Sequence, residues 1–147
     1  AGSRALIDMI RSYAPGFIFT TALPPALAAG AAATIRHLME SDDERSRQRY
    51  SVHVTREMLE KAGLPVMPTD SHILPVLVAD PVLCKKASDM LLEQFDIYVQ
   101  PINYPTVPRG TERLRFTPSP AHSDAMMQAL VDAVIVVWDA LRLARAA

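Results

Sequence analysis

Apolar positions along the chain recur first at helical spacing. Over residues 4 to 13, Leu6, Ile7 and Ile10 share one stripe, and Pro15-Gly16 predicts a stop, because proline lacks the amide donor and crowds the preceding turn. Phe17 to Thr21 is aromatic and β-branched, which predicts a short strand ending in two hydroxyl residues before Pro24-Pro25 opens a new helix. That helix, about 25 to 39, is built of Ala and Gly with Leu27, Ile35 and Leu38, small side chains that let another backbone approach closely. Ser41-Asp42-Asp43-Glu44 is a capping-box pattern at the start of a long helix that Gly63 ends. Ile73 to Val78 follows as a mostly apolar strand. Asp80-Pro81 then supplies an N-cap and a first helical residue, with Val82, Leu83, Ala87, Met90, Leu91 and Phe95 expected on the buried side. Ile97 to Gln100 is a further predicted strand. Five of the twelve prolines fall between Pro101 and Pro120, a density that excludes helix. Within it, Arg113 to Thr117 alternates, so Arg113, Arg115 and Thr117 share one face and Leu114 and Phe116 the other. Ser123-Asp124 caps a last amphipathic helix with Met126, Leu130, Val134, Val137 and Leu141 inward. The order is helix, strand, two helices, strand, helix, strand pair, helix: an α+β arrangement, a small sheet with helices on one side.

Composition narrows the function classes. The 147 residues are half hydrophobic, enough for one core without staples, and 15 basic against 16 acidic side chains leave a net charge of -1. No excess positive field exists for general nucleic-acid binding. The longest apolar stretch, residues 125 to 144, is interrupted by Gln128, Asp132, Asp139 and Arg142, so it is expected to be a buried helix and not a membrane span. One cysteine, Cys84, excludes an internal disulfide, suits a reducing cytoplasm, and is expected to pack as a small hydrophobe rather than act as a nucleophile. The four histidines have no zinc-ligand spacing, and no metal site is expected; His72, ahead of an apolar strand, is expected to be packed or hydrogen-bonded. Arg45, Arg47, Arg49 and Arg56 alternate with acids on one helix and form a solvated face. The N-terminus is not a secretion signal, and the partial helix there suggests a piece of a longer polypeptide.

Chemistry concentrates in one place. The Pro-rich run Asn103-Tyr104-Pro105-Thr106-Val107-Pro108-Arg109-Gly110 leads directly into the Arg113–Arg115 strand, so hydroxyl and guanidinium groups are held on a stiff frame. A preorganised guanidinium suits carboxylate or phosphate; a simpler reading makes both arginines edge-strand charges that prevent aggregation.

Several runs carry a resemblance: Arg11 to Thr21 (Arg-Ser-Tyr-Ala-Pro-Gly-Phe-Ile-Phe-Thr-Thr) with Leu23-Pro24-Pro25, Gly63-Leu64-Pro65-Val66, Ser71-His72-Ile73, Ile97 to Gln100, Ile102 to Gly110, and Arg113-Leu114-Arg115. Together they resemble the α-oxoamine synthase family, and within it the 5-aminolevulinate synthase branch. The resemblance implies the small antiparallel sheet and helices of the C-terminal part of a fold-type-I pyridoxal 5'-phosphate (PLP) enzyme. It implies a homodimer that condenses glycine with succinyl-CoA and releases CoA and carbon dioxide, with no nucleic-acid or membrane partner. Carried over residue by residue, it assigns the glycine carboxylate to Arg115 and the succinyl carboxylate to Thr106. It assigns the cofactor phosphate, across the dimer, to Thr20 and Thr21, with Thr20 first. The family's cofactor lysine lies in a Lys-Ala-x-Gly segment upstream of Arg-Ser-Tyr-Ala, whereas the lysines here are Lys61, Lys85 and Lys86. No catalytic residue is therefore expected in this chain, which alone should be inactive. The family's cofactor-stacking histidine, ring-nitrogen aspartate and Gly-rich phosphate turn are also missing. Residues 1–147 are expected to be one C-terminal domain, with residues 1–40 the junction to a large domain. The alternatives are an 8-amino-7-oxononanoate synthase type of enzyme, or a noncatalytic module that binds a small anion or a protein.

Overall fold

The computed structural model describes residues 2–146 and contains two compact units, one ending at Ser41 and one beginning at Asp42. The first holds helices α1 (Arg4–Tyr13), α2 (Pro15–Ile18) and α3 (Pro25–Glu40). Ser3 caps α1 by accepting the Leu6 N–H. The strand expected over Phe17–Thr21 is not formed. Pro15 instead occupies the first turn of α2, and Phe17, Ile18 and Phe19 donate their N–H groups to Ala14, Ala14 and Pro15 carbonyls at 2.9, 3.0 and 3.0 Å. A strand needs a neighbour for its amides, and without one aromatic and β-branched preference does not outweigh a proline already set for helix. No side chain of these three helices is buried.

The second unit holds α4 (Asp43–Lys61), β1 (Leu74–Leu77), α5 (Pro81–Phe95), β2 (Gln100–Ile102), β3 (Arg113–Phe116) and α6 (Asp124–Leu141). The N-cap of α4 is Asp42, one residue later than the pattern suggested, because Ser41 closes α3 through its N–H to the His37 carbonyl at 2.8 Å. Gly63, at φ +70°, ends the helix in the left-handed conformation that costs glycine least. The strands form one antiparallel sheet in the order β1-β3-β2, with Val76 opposite Leu114 and Leu114 opposite Pro101. Ile73 and Val78 fall outside β1. Ile97 to Val99 precede β2 because Asp96, at φ 57°, closes α5 and sends the Ile97 N–H back to the Leu91 carbonyl at 3.1 Å.

The buried face of the sheet carries Leu74, Val76, Leu114 and Phe116, and it belongs to one core with Leu59 of α4, Cys84, Ala87 and Leu91 of α5, and Val131, Val134, Val137 and Trp138 of α6. The Trp138 indole N–H donates to the Ala144 carbonyl at 3.0 Å, which satisfies the one polar atom of that ring. Two expected core residues are outside. Val82 is 72% exposed because the α5 stripe runs through Cys84, Ala87, Ser88 and Leu91, and at 100° per residue Val82 lies opposite it. Met126 is 54% exposed because the α6 stripe runs through Met127, Val131, Val134 and Trp138.

The expected cap of α5 is formed: Asp80 Oδ1 accepts the N–H groups of Val82 and Leu83, both at 2.8 Å. Asp80→Ala should lower stability to chemical denaturation by about 1 kcal/mol, whereas Asp80→Asn, which keeps an acceptor oxygen, should cost less than about 0.5 kcal/mol.

Candidate functional site

The loop between β2 and β3 is a closed frame. At its start Asn103 Nδ2 donates to the Pro81 carbonyl at 3.0 Å, which ties the loop to the N-terminus of α5. The Thr106 N–H returns to the Asn103 carbonyl at 3.0 Å, after a cis Tyr104–Pro105 bond, and leaves the Thr106 side chain exposed. The Arg109 guanidinium lies 4.6 Å from the Tyr104 ring centroid, a cation–π contact that spans the loop. Thr111 Oγ1 donates to the Pro108 carbonyl at 2.6 Å. The Gly110 N–H, at φ +80°, donates to Glu112 Oε2 at 2.9 Å.

The two arginines of β3 differ. Arg113 is opposite Ile102 and donates from Nε to the Thr111 carbonyl at 2.8 Å, so its side chain is committed to its own loop. Arg115 is opposite Gln100, exposed, and makes no hydrogen bond or ion pair among the described residues. β3 is the middle strand, so the edge-charge reading of both arginines is corrected. Arg115 lines an open cavity of about 490 Å³ with Gln100, Tyr98, Thr117, His122 and Thr55. The buried Thr55 Oγ1 has no hydrogen-bond partner among the described residues, and His122 Nδ1 accepts the Ser119 N–H at 3.1 Å. This combination of a free guanidinium, a hydroxyl and an imidazole in a partly apolar cavity can receive a small carboxylate.

Thr106 does not line that cavity; it lies past the Ile102 end of the strand pair, and Arg115 lies toward the other end. Thr20 and Thr21 are exposed residues of the first unit, between α2 and α3. His72, expected to be packed or hydrogen-bonded, is exposed in the bend before β1 and makes no hydrogen bond among the described residues. Glu112 went unnoticed in the sequence: it is 0% exposed and the only charged side chain among the buried residues described. The signal was its parity, since residues 112, 114 and 116 alternate onto the buried face and a Glu at the first of them is anomalous. Among the described residues no group of three or more His, Cys, Asp or Glu could hold a metal, and no helix is long and apolar enough to cross a membrane.

The profile of the family described as "Aminotransferase class I and II" matches residues 1–134. The chain belongs to the class I and II aminotransferase family. Within that family it is 59% identical over 99% of its length to 5-aminolevulinate synthase of Rhizobium meliloti (strain 1021), covering 36% of that protein. It is 56% identical over 99% of its length to 5-aminolevulinate synthase 1 of Cereibacter sphaeroides, again covering 36%. Among solved structures it is similar to a serine palmitoyltransferase K265A variant from S. paucimobilis with a bound PLP–myriocin aldimine. The TM-score is 0.83 at 27% identity, over 92% of this chain and 34% of that one. The chain thus spans about a third of the length of the curated relatives it matches.

Cys84 of this aminotransferase-family chain is fully buried, and burial pushes its thiol from the ordinary 9.0 up to about 11, with the Glu112 and Asp80 charges adding to the rise and a backbone hydrogen bond at Ile102 opposing it. The folded state therefore holds the proton more tightly than the unfolded state. The stability linked to that proton is complete below about pH 9 and is lost as pH rises toward 11. A maleimide probe at pH 7.5 should label Cys84 at least about a hundredfold more slowly than in the urea-unfolded chain, and the denaturation midpoint should fall between pH 9 and 11 less steeply in Cys84→Ala.

Proposed function

We propose that this chain is the C-terminal portion of a 5-aminolevulinate synthase, a PLP-dependent acyltransferase that condenses glycine with succinyl-CoA to give 5-aminolevulinate, CoA and carbon dioxide in tetrapyrrole (heme) biosynthesis. The observation that carries the reading is the 59% identity across 99% of the chain to a relative of that name. Arg115 would hold the glycine carboxylate. In its favour, it is the β3 arginine with no partner among the described residues and an open cavity beside it, whereas Arg113 is already bonded to the Thr111 carbonyl. A carboxylate gripped by the planar guanidinium cannot rotate freely, so the bond to be broken at the glycine Cα is oriented as well as bound. Thr106 would donate its exposed hydroxyl to the succinyl carboxylate from a loop whose backbone is already fixed.

PLP, when bound, would supply the electron sink for carbanion chemistry at the glycine Cα. The residues of the first unit fit its phosphate: Thr20 and Thr21 present two exposed hydroxyls, donors suited to phosphate oxygens. The full enzyme would be a homodimer in a reducing cytoplasm, in keeping with a single free, buried cysteine. Residues 1–40 would form the junction with a large domain, a role suited to three helices that bury none of their own side chains. The cofactor lysine would lie in that large domain. Lys61 and Lys85 of this chain are instead paired with Glu57 at 3.6 Å and Asp89 at 2.6 Å.

Three measurements test this. Borohydride reduction of the isolated chain with PLP should label none of Lys61, Lys85 or Lys86 stoichiometrically; one fully labelled lysine with turnover would overturn the placement of the catalytic lysine. In the full-length enzyme, Arg115→Lys should raise the KM for glycine by about one to two orders of magnitude and leave the succinyl-CoA KM within about twofold. Thr106→Val should reduce kcat/KM for succinyl-CoA by about 10- to 100-fold and barely alter that for butyryl-CoA. Equal losses with both acyl groups would favour the oxononanoate-synthase alternative. A full-length protein that makes no aminolevulinate from these substrates would favour the noncatalytic module.

A further inference from the structure

We infer that Glu112 is the positioning residue of the acyl end of the site: its buried carboxylate holds the loop that presents Thr106, and thereby sets the affinity for the acyl substrate. The identity of that substrate rests on the aminolevulinate-synthase reading. Glu112 takes the place of an apolar residue, since it shares parity with the buried Leu114 and Phe116 and is itself 0% exposed. An aliphatic side chain would fill such a position without the desolvation that a carboxylate suffers there. What the carboxylate does is accept the Gly110 N–H at 2.9 Å through Oε2; Oε1 is buried with no partner, so this is its one hydrogen bond among the described residues. Gly110, at φ +80°, is the residue type that turns its amide inward with least strain.

The backbone of Glu112 makes the second attachment. Its carbonyl accepts the N–H groups of both Val78 and Ala79, at 2.8 and 2.9 Å, so the residue is fixed to the corner between β1 and α5. Asn103, at the other end of the loop, donates to Pro81 of that same corner. The loop is therefore fastened at both ends to the segment Val78–Pro81, once through Asn103 and once through Glu112, with Thr106 between them. Arg109 over Tyr104 braces the interior of the loop but anchors neither end. Releasing Gly110 leaves that end held by the Glu112 backbone alone, so the stretch from Thr106 to Gly110 gains freedom and the Thr106 hydroxyl samples positions from which it misses the substrate. Arg115 stays on the paired part of β3 and is not released.

The test is made in the full-length enzyme with Glu112→Ala and Glu112→Gln, the second of which keeps an oxygen acceptor for the Gly110 N–H. Glu112→Ala should raise the KM for succinyl-CoA about tenfold and leave the KM for glycine within about twofold. Glu112→Gln should stay within about threefold of wild type for both. Hydrogen exchange of the peptide spanning residues 103–111 should accelerate at least about tenfold in Glu112→Ala and remain near wild type in Glu112→Gln. Should Glu112→Ala fail to fold, Glu112→Asp, which withdraws the acceptor by one methylene, should show the same split at smaller amplitude. Equal rises in both KM values, a lowered melting temperature with no split, or Gln as damaging as Ala would each overturn the inference. A wild-type enzyme that makes no aminolevulinate defeats the functional reading instead, and unchanged exchange in Glu112→Ala then still defeats the loop attachment on its own.

Discussion

β3 has a neighbour on each side, and that leaves its side chains only two directions in which to point. Pairing with β1 and β2 fixes the pleat, so Leu114 and Phe116 enter the core while Arg113 and Arg115 leave it on the opposite face. A slip of one residue would bury two guanidinium groups and expose a Leu and a Phe, a loss far larger than the fold's marginal stability could absorb. The candidate chemistry thus inherits its precision from the packing of Leu114 and Phe116 against the helices behind the sheet. The same pleat draws Glu112 inward, and so the attachment of the neighbouring loop is also a product of the register.

Periodicity made α5, β3 and α6 legible in the sequence because each must present a continuous apolar stripe or alternation to one core, and because Asp80 and Ser123 mark where two of those helices start. It failed where the controlling influence was not periodic. Phe17 to Thr21 has the composition of a strand, but among the described residues no strand pairs with it, and a proline two residues earlier decides for helix. Val82 differs: it is apolar and sits in a helix, and the periodicity itself, read from the stripe through Cys84, Ala87, Ser88 and Leu91, takes it to solvent where composition had placed it inside.

Residue-level roles were legible to differing degrees. Charge and alternation leave Arg113 and Arg115 equivalent; the family resemblance singled out Arg115, and the geometry separates the two physically by engaging the first with the Thr111 carbonyl and placing the second beside a cavity. The stiffness of the loop could be inferred from proline density, and the role of Thr106 from the family resemblance alone. The fastening of that loop could not, because it depends on Asn103 reaching Pro81 across 22 positions of sequence and on a glutamate whose burial a charge count would deny.

The first unit places many large apolar side chains on its surface, among them Tyr13, Phe17, Phe19, Leu27 and Met39, and none in a core of its own. Its helices of 10 and 4 residues are below the length of about 12–15 residues at which an isolated helix holds together in water, and the third, of 16, only just exceeds it. Such a segment is a natural ligand for chaperones and proteases for as long as those side chains remain uncovered. Protein quality control would consequently read the state of these helices directly: chains in which they stay bare would be removed, and the pool that persists would be the pool in which they are covered.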